Sequence, residues 1–209
     1  MNRLLACAGV AALLILPASL FGQAVPNNPH TFNHAEVGIY GDLFRVYPAN
    51  SSSVNFLGLG GRIGINFHPH VQIEAEMNYD FERNYTTVFT SGGTGIGTST
   101  TITSHVRPLT GLFGPKFQVG TSGPVRAFIT AKGGFIEFSY SNDAVSTSSF
   151  ANSFQQFGNG TTHFAAYPGG GLEFFAGPLG IRMEAGDEIY VNNKAYNNLR
   201  ITFGPTLRF

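Results

Sequence analysis

Between Val71 and Arg83 the chain alternates without an error. Val71, Ile73, Ala75, Met77, Tyr79 and Phe81 take one parity, and Gln72, Glu74, Glu76, Asn78, Asp80 and Glu82 take the other. Side chains point to opposite faces at every step of a strand, whereas a helix would scatter these acids around its surface. The same pattern returns at the end of the chain. Leu199, Ile201, Phe203, Pro205, Leu207 and Phe209 oppose Arg200, Thr202, Gly204, Thr206 and Arg208. Chain ends usually fray into polar residues, so a terminus that still alternates reads as pinned in a sheet. One apolar and one charged face, with period two, is the pattern of a strand that has lipid on one side and a polar lumen on the other.

Six further segments carry the same signature, and each is near the ~9–11 residues that a tilted membrane strand needs. They run over Ala35–Val46, Val54–Phe67, His105–Val119, Val125–Tyr140, His163–Phe175 and Leu179–Tyr190. Gly133-Gly134 reads as a bulge that flips the later phase of its strand. Pro115, Pro168 and Pro205 fall inside strands, where a missing N–H is costly, and their glycine neighbours point to bulges there as well. The connections alternate in length. His68-Pro69-His70, Thr121 to Pro124 and Gly177-Pro178 are tight. Asn50 to Ser53, Thr86 to Thr103, Ser141 to Thr162 and Val191 to Asn197 are longer and polar. Short turns at one end and long loops at the other are the habit of bacterial outer-membrane barrels. The sequence thus predicts an all-β, up-and-down antiparallel eight-stranded transmembrane β-barrel.

The start of the chain reads as an export signal. Met1-Asn2-Arg3 is a short positive start, Leu4 to Leu16 is apolar, and Pro17 breaks the run. Gly22-Gln23-Ala24 places small residues where a signal peptidase reads them, so residues 1–24 read as a signal peptide cleaved after Ala24. The apolar run is short for a membrane anchor, and no stop-transfer charges follow it. Residues 25–34 form a polar leader, and 35–209 form the barrel domain. Cys7 leaves with the signal, so the mature chain has no disulfide and no thiolate metal site. The 209 residues hold 12 basic and 12 acidic side chains, without the basic excess that a nucleic-acid partner requires. Charged residues make up 11%, under half the usual ~25%. No apolar stretch after residue 24 is long enough for a spanning helix. A membrane barrel remains, or a secreted soluble barrel of lipocalin-like, ligand-binding type.

The alternating segments, the Gly114-Pro115-Lys116 and Lys132-Gly133-Gly134 steps and the aromatic last residue together resemble the OmpA-type outer-membrane β-barrel domain. The resemblance covers essentially the whole mature chain. It implies an integral protein of the bacterial outer membrane with a structural envelope role; the interior charges leave open either a salt-bridged plug or a weak or gated small-solute pore in which the pairs rearrange. It also implies that Phe203, Leu207 and Phe209 form the signal read by the barrel-assembly machinery. Expected partners are outer-membrane lipid and that machinery, with no nucleic acid and a monomeric chain. The peptidoglycan-binding domain that often follows such barrels is not expected here, because the chain stops at the last strand.

Charges concentrate on the inward parity. Glu36, Asp42, Arg62, Glu74, Glu76, Asp80, Lys116, Lys132, Glu173, Arg182, Glu184, Arg200 and Arg208 are expected to face the lumen. Eight strands enclose a space that side chains fill, so these charges must pair. Arg200 and Arg208 are expected to meet Glu36 or Asp42 across the closing seam, or Glu184. Tyr40, Phe44, Tyr47, Tyr79, Tyr85, Tyr140, Tyr167 and Tyr190 suit an aromatic girdle, with Tyr40 and Tyr167 in the inward phase as lumen filler. A lipid-modifying enzyme would need a Ser–His site, for which His105 beside Ser104 and His163 with the preceding loop serines are the candidates. No fixed spacing supports them, and the chain reads as a non-enzyme. His68 and His70 lack a nearby carboxylate and read as a turn rather than a metal site. Gly92 to Gly97 lacks a phosphate-loop lysine and reads as a loop. No cofactor is expected.

Overall fold

The computed structural model describes residues 33–47, 53–91, 98–119, 124–142 and 162–209. The expected signal peptide, nearly all of the leader and the Gly92 to Gly97 stretch lie outside them. Nine strand segments follow one another: β1 (Ala35–Val46), β2 (Val54–His68), β3 (Val71–Asp80), β4 (Arg83–Ser91), β5 (Thr98–Val119), β6 (Val125–Asn142), β7 (Thr162–Ala176), β8 (Leu179–Asn192) and β9 (Lys194–Arg208). All pairings are antiparallel, and β3 and β4 both pair with β5, so they are the two halves of one wall position. The result is a closed eight-stranded antiparallel barrel.

Closure falls between β1 and β9. The Ala35 amide donates to the Phe209 carbonyl at 2.9 Å, and the Phe209 amide donates to the Ala35 carbonyl at 3.0 Å. The wall is staggered. His34 accepts from the Asn66 amide, Asn66 pairs with Gln72, Gln72 with Lys116 and Lys116 with Thr130. Thr130 then pairs with Gly169, Gly169 with Gly186, Gly186 with Arg200, and Arg200 with Phe44. The circuit returns to β1 ten residues beyond His34. This stagger tilts the strands, and an eight-stranded wall so tilted encloses a lumen that side chains fill.

Two connections differ from the sequence expectation. The stretch from Thr86 to Thr103 is largely a hairpin: Arg83 pairs with Val106, and pairing continues to Ser91 with Thr98. Thr-rich chain favours strand, but the stretch lacks the alternation that would have revealed it. Val191 to Asn197 also pairs, up to Asn192 opposite Lys194, and Asn193 alone makes the turn with a φ of 57°. Asn accepts that left-handed conformation at low cost. The Gly177-Pro178 turn is tight as expected, with Gly177 at a φ of 65°.

The expected bulges at the glycine pair and the three prolines are absent. The β5–β6 register runs on unchanged through Gly133 and Gly134. Pro115 pairs with Ile73, Pro168 with Ala131 and Pro205 with Ile181. On the opposite side of each proline the pairing lapses for two residues and resumes in the same register. A missing N–H therefore opens one side of the ladder locally and shifts nothing. A register shift does occur beside the His68 turn, between Asn66 and His68.

Because the phase never flips, the described even-numbered side chains stay inward from Val106 to Gln118 in β5 and from Phe128 to Phe138 in β6. Val106, Leu112, Ile136 and Phe138 are buried in the lumen with Phe44, Val46, Val54, Phe56, Tyr167 and Tyr190. Phe44 and Tyr190 therefore leave the expected girdle, because both lie on the inward parity and are fully buried. Tyr40 and Tyr167 are buried as lumen filler, and Tyr47 and Tyr79 are exposed. Tyr85 and Tyr140 lie outside the residues whose side chains are described. The outer face carries Ile39, Leu57, Leu59, Ile63, Ile65, Met77, Phe113, Ile129 and Phe203, all exposed.

Candidate functional site

Every side chain assigned above to the lumen is buried inside the barrel: Glu36, Asp42, Arg62, Glu74, Glu76, Asp80, Lys116, Lys132, Glu173, Arg182, Glu184, Arg200 and Arg208. Glu188 joins them. Its parity on β8 matches Arg182 and Glu184, so the alternation already marked it. The structure sorts these groups into two sets stacked along the lumen.

The larger set lies toward the end with the tight turns. Arg208 donates to Glu36 and to Glu173, each at 2.9 Å. Lys116 donates to Glu173 at 2.5 Å and lies 3.5 Å from Glu74. Arg182 grips Glu74 through both terminal nitrogens, one of them at 2.9 Å, and reaches Glu184 at 2.5 Å. Lys132 contacts Glu76 at 2.7 Å, Glu74 at 3.1 Å and Glu184 at 3.2 Å. Arg62 donates to Glu184 at 3.0 Å and to the Thr202 hydroxyl at 3.2 Å. Five cations thus meet five carboxylates. Isolated charges in such a space would be very costly, and mutual pairing offsets that cost. Rings complete the packing: the Arg182 guanidinium lies 4.1 Å from the Phe128 ring centre, and that of Arg62 lies 4.1 Å from Tyr40.

Most of these pairs cross the lumen. Arg62 sits beside Glu76 in the β2–β3 register yet bonds Glu184 on β8. Glu74 on β3 is held by Arg182 on β8 and Lys132 on β6. Long side chains from facing walls meet in the middle, so nearest neighbours along the sheet are not the main partners.

The smaller set surrounds Arg200. Its guanidinium lies 2.8 Å from Glu188, 3.4 Å from Asp42 and 3.6 Å from Asp80. The Thr110 hydroxyl donates to Glu188 at 3.1 Å and accepts from Arg200 at 3.2 Å. Phe44 covers Arg200, with its ring centre 4.4 Å from the guanidinium carbon. Beyond Phe44 the lumen is apolar and aromatic toward the loop end. There Tyr190 stacks on Tyr196 at 5.1 Å and meets Phe138 edge-on at 5.5 Å.

The residues expected to form the assembly signal face the other way. The Phe203 and Phe209 side chains are exposed on the outer wall at 55% and 63%, and Leu207 is half-buried. Among the enzyme candidates, the His105 Nδ1 lies 2.9 Å from Glu82 and 2.8 Å from the Asn84 side-chain oxygen. The Ser104 side chain and the serines before His163 lie outside the described side chains, and His163 packs near Tyr190. His68 and His70 share a turn, where the His70 amide donates to His68 and the His70 ring contacts the Gln118 carbonyl. Among the described residues, Glu74, Glu76 and Glu184 bring carboxylate oxygens within 4.8 Å of one another. Lys132 and Arg182 already stand among those oxygens, so this group is an internal ion-pair cluster.

No family model matches the chain, and no curated protein matches it. Solved structures do. The attachment invasion locus protein Ail of Yersinia pestis, solved with the heparin analogue sucrose octasulfate, aligns with a TM-score of 0.52 at 15% identity, covering 86% of this chain and 100% of that one. Neisserial surface protein A aligns at 0.53 and 10% identity, over 84% of this chain and 97% of that one. The N-terminal β-barrel domain of OprF from Pseudomonas aeruginosa aligns at 0.51 and 14%, over 85% and 100%. The fold is that of the small eight-stranded outer-membrane β-barrels. The chain is therefore a small barrel of outer-membrane type, with a charged interior and an apolar outer wall.

Proposed function

We propose that the chain is an integral bacterial outer-membrane barrel of OmpA type with a structural envelope role and a closed lumen, and that it performs no catalytic step. One observation carries the reading: the polarity is inverted. Large apolar side chains such as Leu59, Ile63, Phe113 and Ile129 are exposed on the wall, while Glu74, Lys116, Glu173 and Arg182 are buried inside it. A soluble lipocalin-like barrel would need the opposite arrangement, with an apolar cavity and a polar exterior. Lipid as the outer solvent makes this arrangement favourable.

Cell fractionation combined with a heat-shift gel tests the proposal. The mature chain is expected in the outer-membrane fraction, to require detergent for extraction, and to migrate differently before and after boiling. Recovery from the soluble periplasmic or culture fraction without detergent would overturn it. Closure has its own measurement. The ion-paired level and the apolar level together support a blocked lumen, so single-channel recordings in planar bilayers should show no conductance above background. Conductance above background in the wild type, or conductance that appears in Arg62→Ala or Glu76→Ala, would replace closure with a gated pore.

A further inference from the structure

The two ends of the outer wall differ in charge. Among the described residues the turn-side end presents no lysine or arginine to the outside, and Phe67, Phe117, Val125, Phe174, Leu179 and Phe209 are exposed there. The loop-side end presents two arginines. Arg45 shares the outward parity of Ile39 on β1, and Arg107 shares that of Phe113 on β5. Both lie on the loop side of a pairing row that runs through Gly41, Leu59, Tyr79 and Leu109. The stagger of the wall climbs toward the loops from β1 to β5, so Arg107, closer to that row, ends at nearly the height of Arg45. We propose that Arg45 and Arg107 bind the phosphates of anionic lipid headgroups in the loop-side leaflet. The proposal rests on the reading of this wall as lipid-facing.

A tyrosine holds each guanidinium against the wall. The Arg45 guanidinium carbon lies 5.5 Å from the Tyr47 ring centre, and Arg45 donates to the Ser53 hydroxyl at 2.9 Å. That of Arg107 lies 5.0 Å from the Tyr79 ring centre, and Arg107 donates to the Tyr79 hydroxyl at 2.8 Å. Each of these bonds uses one of the five N–H donors of an arginine. Among the described residues neither arginine has a carboxylate partner. Inside the lumen, by contrast, Arg62, Arg182, Arg200 and Arg208 each contact at least one carboxylate. The acids near the loop-side end are placed elsewhere. Asp187 accepts from the Asn198 amide at 2.8 Å, and Glu82 lies 2.9 Å from the His105 ring. Glu137 stands opposite Leu109 on β6 and forms no ion pair with Arg107.

A cation on the lipid face is costly at depth and tolerable only where it reaches the headgroups. Tyrosine beside arginine at the edge of an apolar band marks that level. A guanidinium laid against a ring keeps its remaining N–H groups in a planar fork, which matches the oxygens of a phosphate. The surface between the two arginines favours a lipid over a free phosphate ion. Leu57 and Phe81 are exposed there and are joined by the bond from the Phe81 amide to the Leu57 carbonyl, so a ligand that reaches both arginines must also cover apolar wall. Hydration alone would treat all headgroups alike, whereas phosphate pairing selects among them.

The test reconstitutes the mature chain into phosphatidylcholine vesicles that carry a trace of spin-labelled phosphatidic acid or spin-labelled phosphatidylcholine. Electron spin resonance then reads the fraction of each label that the protein immobilises. Phosphatidic acid is expected to associate about fivefold more strongly than phosphatidylcholine. The Arg45→Gln, Arg107→Gln double variant should lose that preference. Arg83→Gln should retain it, because Arg83 is exposed but pairs with the inward-facing Val106. Equal association of the two labels in the wild type, or a preference that survives in the double variant, would overturn the proposal. So would loss of the preference on adding inorganic phosphate at constant ionic strength, because the site would then take a free ion. If the double variant does not insert, the two single variants, each expected to weaken the preference, decide in its place. A heat-shift gel on the same vesicles separates the two readings. A wild-type chain that does not insert at all overturns the membrane reading itself, whereas an inserted barrel without headgroup preference overturns only this proposal.

Discussion

The lumen is filled by opposite means at its two ends. Toward the tight turns, charges of both signs interlock across the barrel, Arg182 with Glu74, Arg62 with Glu184, Lys132 with Glu76 and Arg208 with Glu173. Toward the loops, Phe44, Phe56, Ile136, Phe138 and Tyr190 pack as an apolar plug. Both ends fill the lumen with buried side chains, but they constrain the wall differently. Apolar packing is non-directional and tolerates sliding, whereas each ion pair ties a particular residue of one strand to a particular residue of another. The charged end joins β3 to β6 and β8, β2 to β8, and β7 to β9. It lies next to the β1–β9 seam, where Arg208 holds Glu36 across the join at 2.9 Å. The charged level is thus placed to select the register in which the barrel closes, and the apolar level to seal it.

The largest expected effect comes from removing a cation at the charged end. Arg182→Met leaves Glu74 and Glu184 underpaired in a buried site and should cost about 3–5 kcal/mol. Urea titration of the barrel in lipid vesicles measures this, and a loss below about 1 kcal/mol would show that water reaches the network. Truncation at the apolar end should rank next. Phe138→Ala opens a cavity worth about 3 kcal/mol in the same titration, and a loss exceeding that of Arg182→Met would reverse the ranking of the two ends. A matched pair of charge removals sharpens the contrast further. Glu74→Gln deprives three cations of a partner, whereas Glu188→Gln removes one of three acids around a single arginine. Glu74→Gln should therefore cost more, by about 1–2 kcal/mol; equal losses would mean that charge balance does not distinguish the levels. The smallest effect belongs outside the lumen. Arg45 is exposed and donates to Ser53 at 2.9 Å, so Arg45→Ala should stay within about 0.5 kcal/mol of wild type.

Legibility in the sequence followed parity. Wherever alternation was strict, as in Val71 to Asp80 or Leu199 to Phe209, strand and facing could be read directly. The Thr86 to Thr103 hairpin escaped because its threonines lack a two-faced pattern, although threonine itself favours strand. Val191 to Asn197 escaped because a polar stretch of asparagines looks like a loop when a single Asn193 suffices for the turn. The glycines and prolines misled in the other direction. They signal bulges in general, but paired strands on both sides held the register across Gly133-Gly134 and across each proline. The unflipped phase is what carries Ile136 and Phe138 inward to build the apolar plug with Phe44 and Tyr190.

By itself the sequence determined which side chains face inward, because side-chain parity is a local property of a strand. It marked Glu36, Glu74, Arg182, Arg208 and Glu188 for one face, and Ile63, Phe113 and Phe203 for the other. Only the tertiary structure decided which charges meet. Arg62 has Glu76 beside it in the sheet and bonds Glu184 across the barrel, while Arg200 gathers Asp42, Asp80 and Glu188 from three different strands. Those meetings depend on the ten-residue stagger accumulated around the whole wall. Parity is set within one strand, but height in the lumen is set by all eight together.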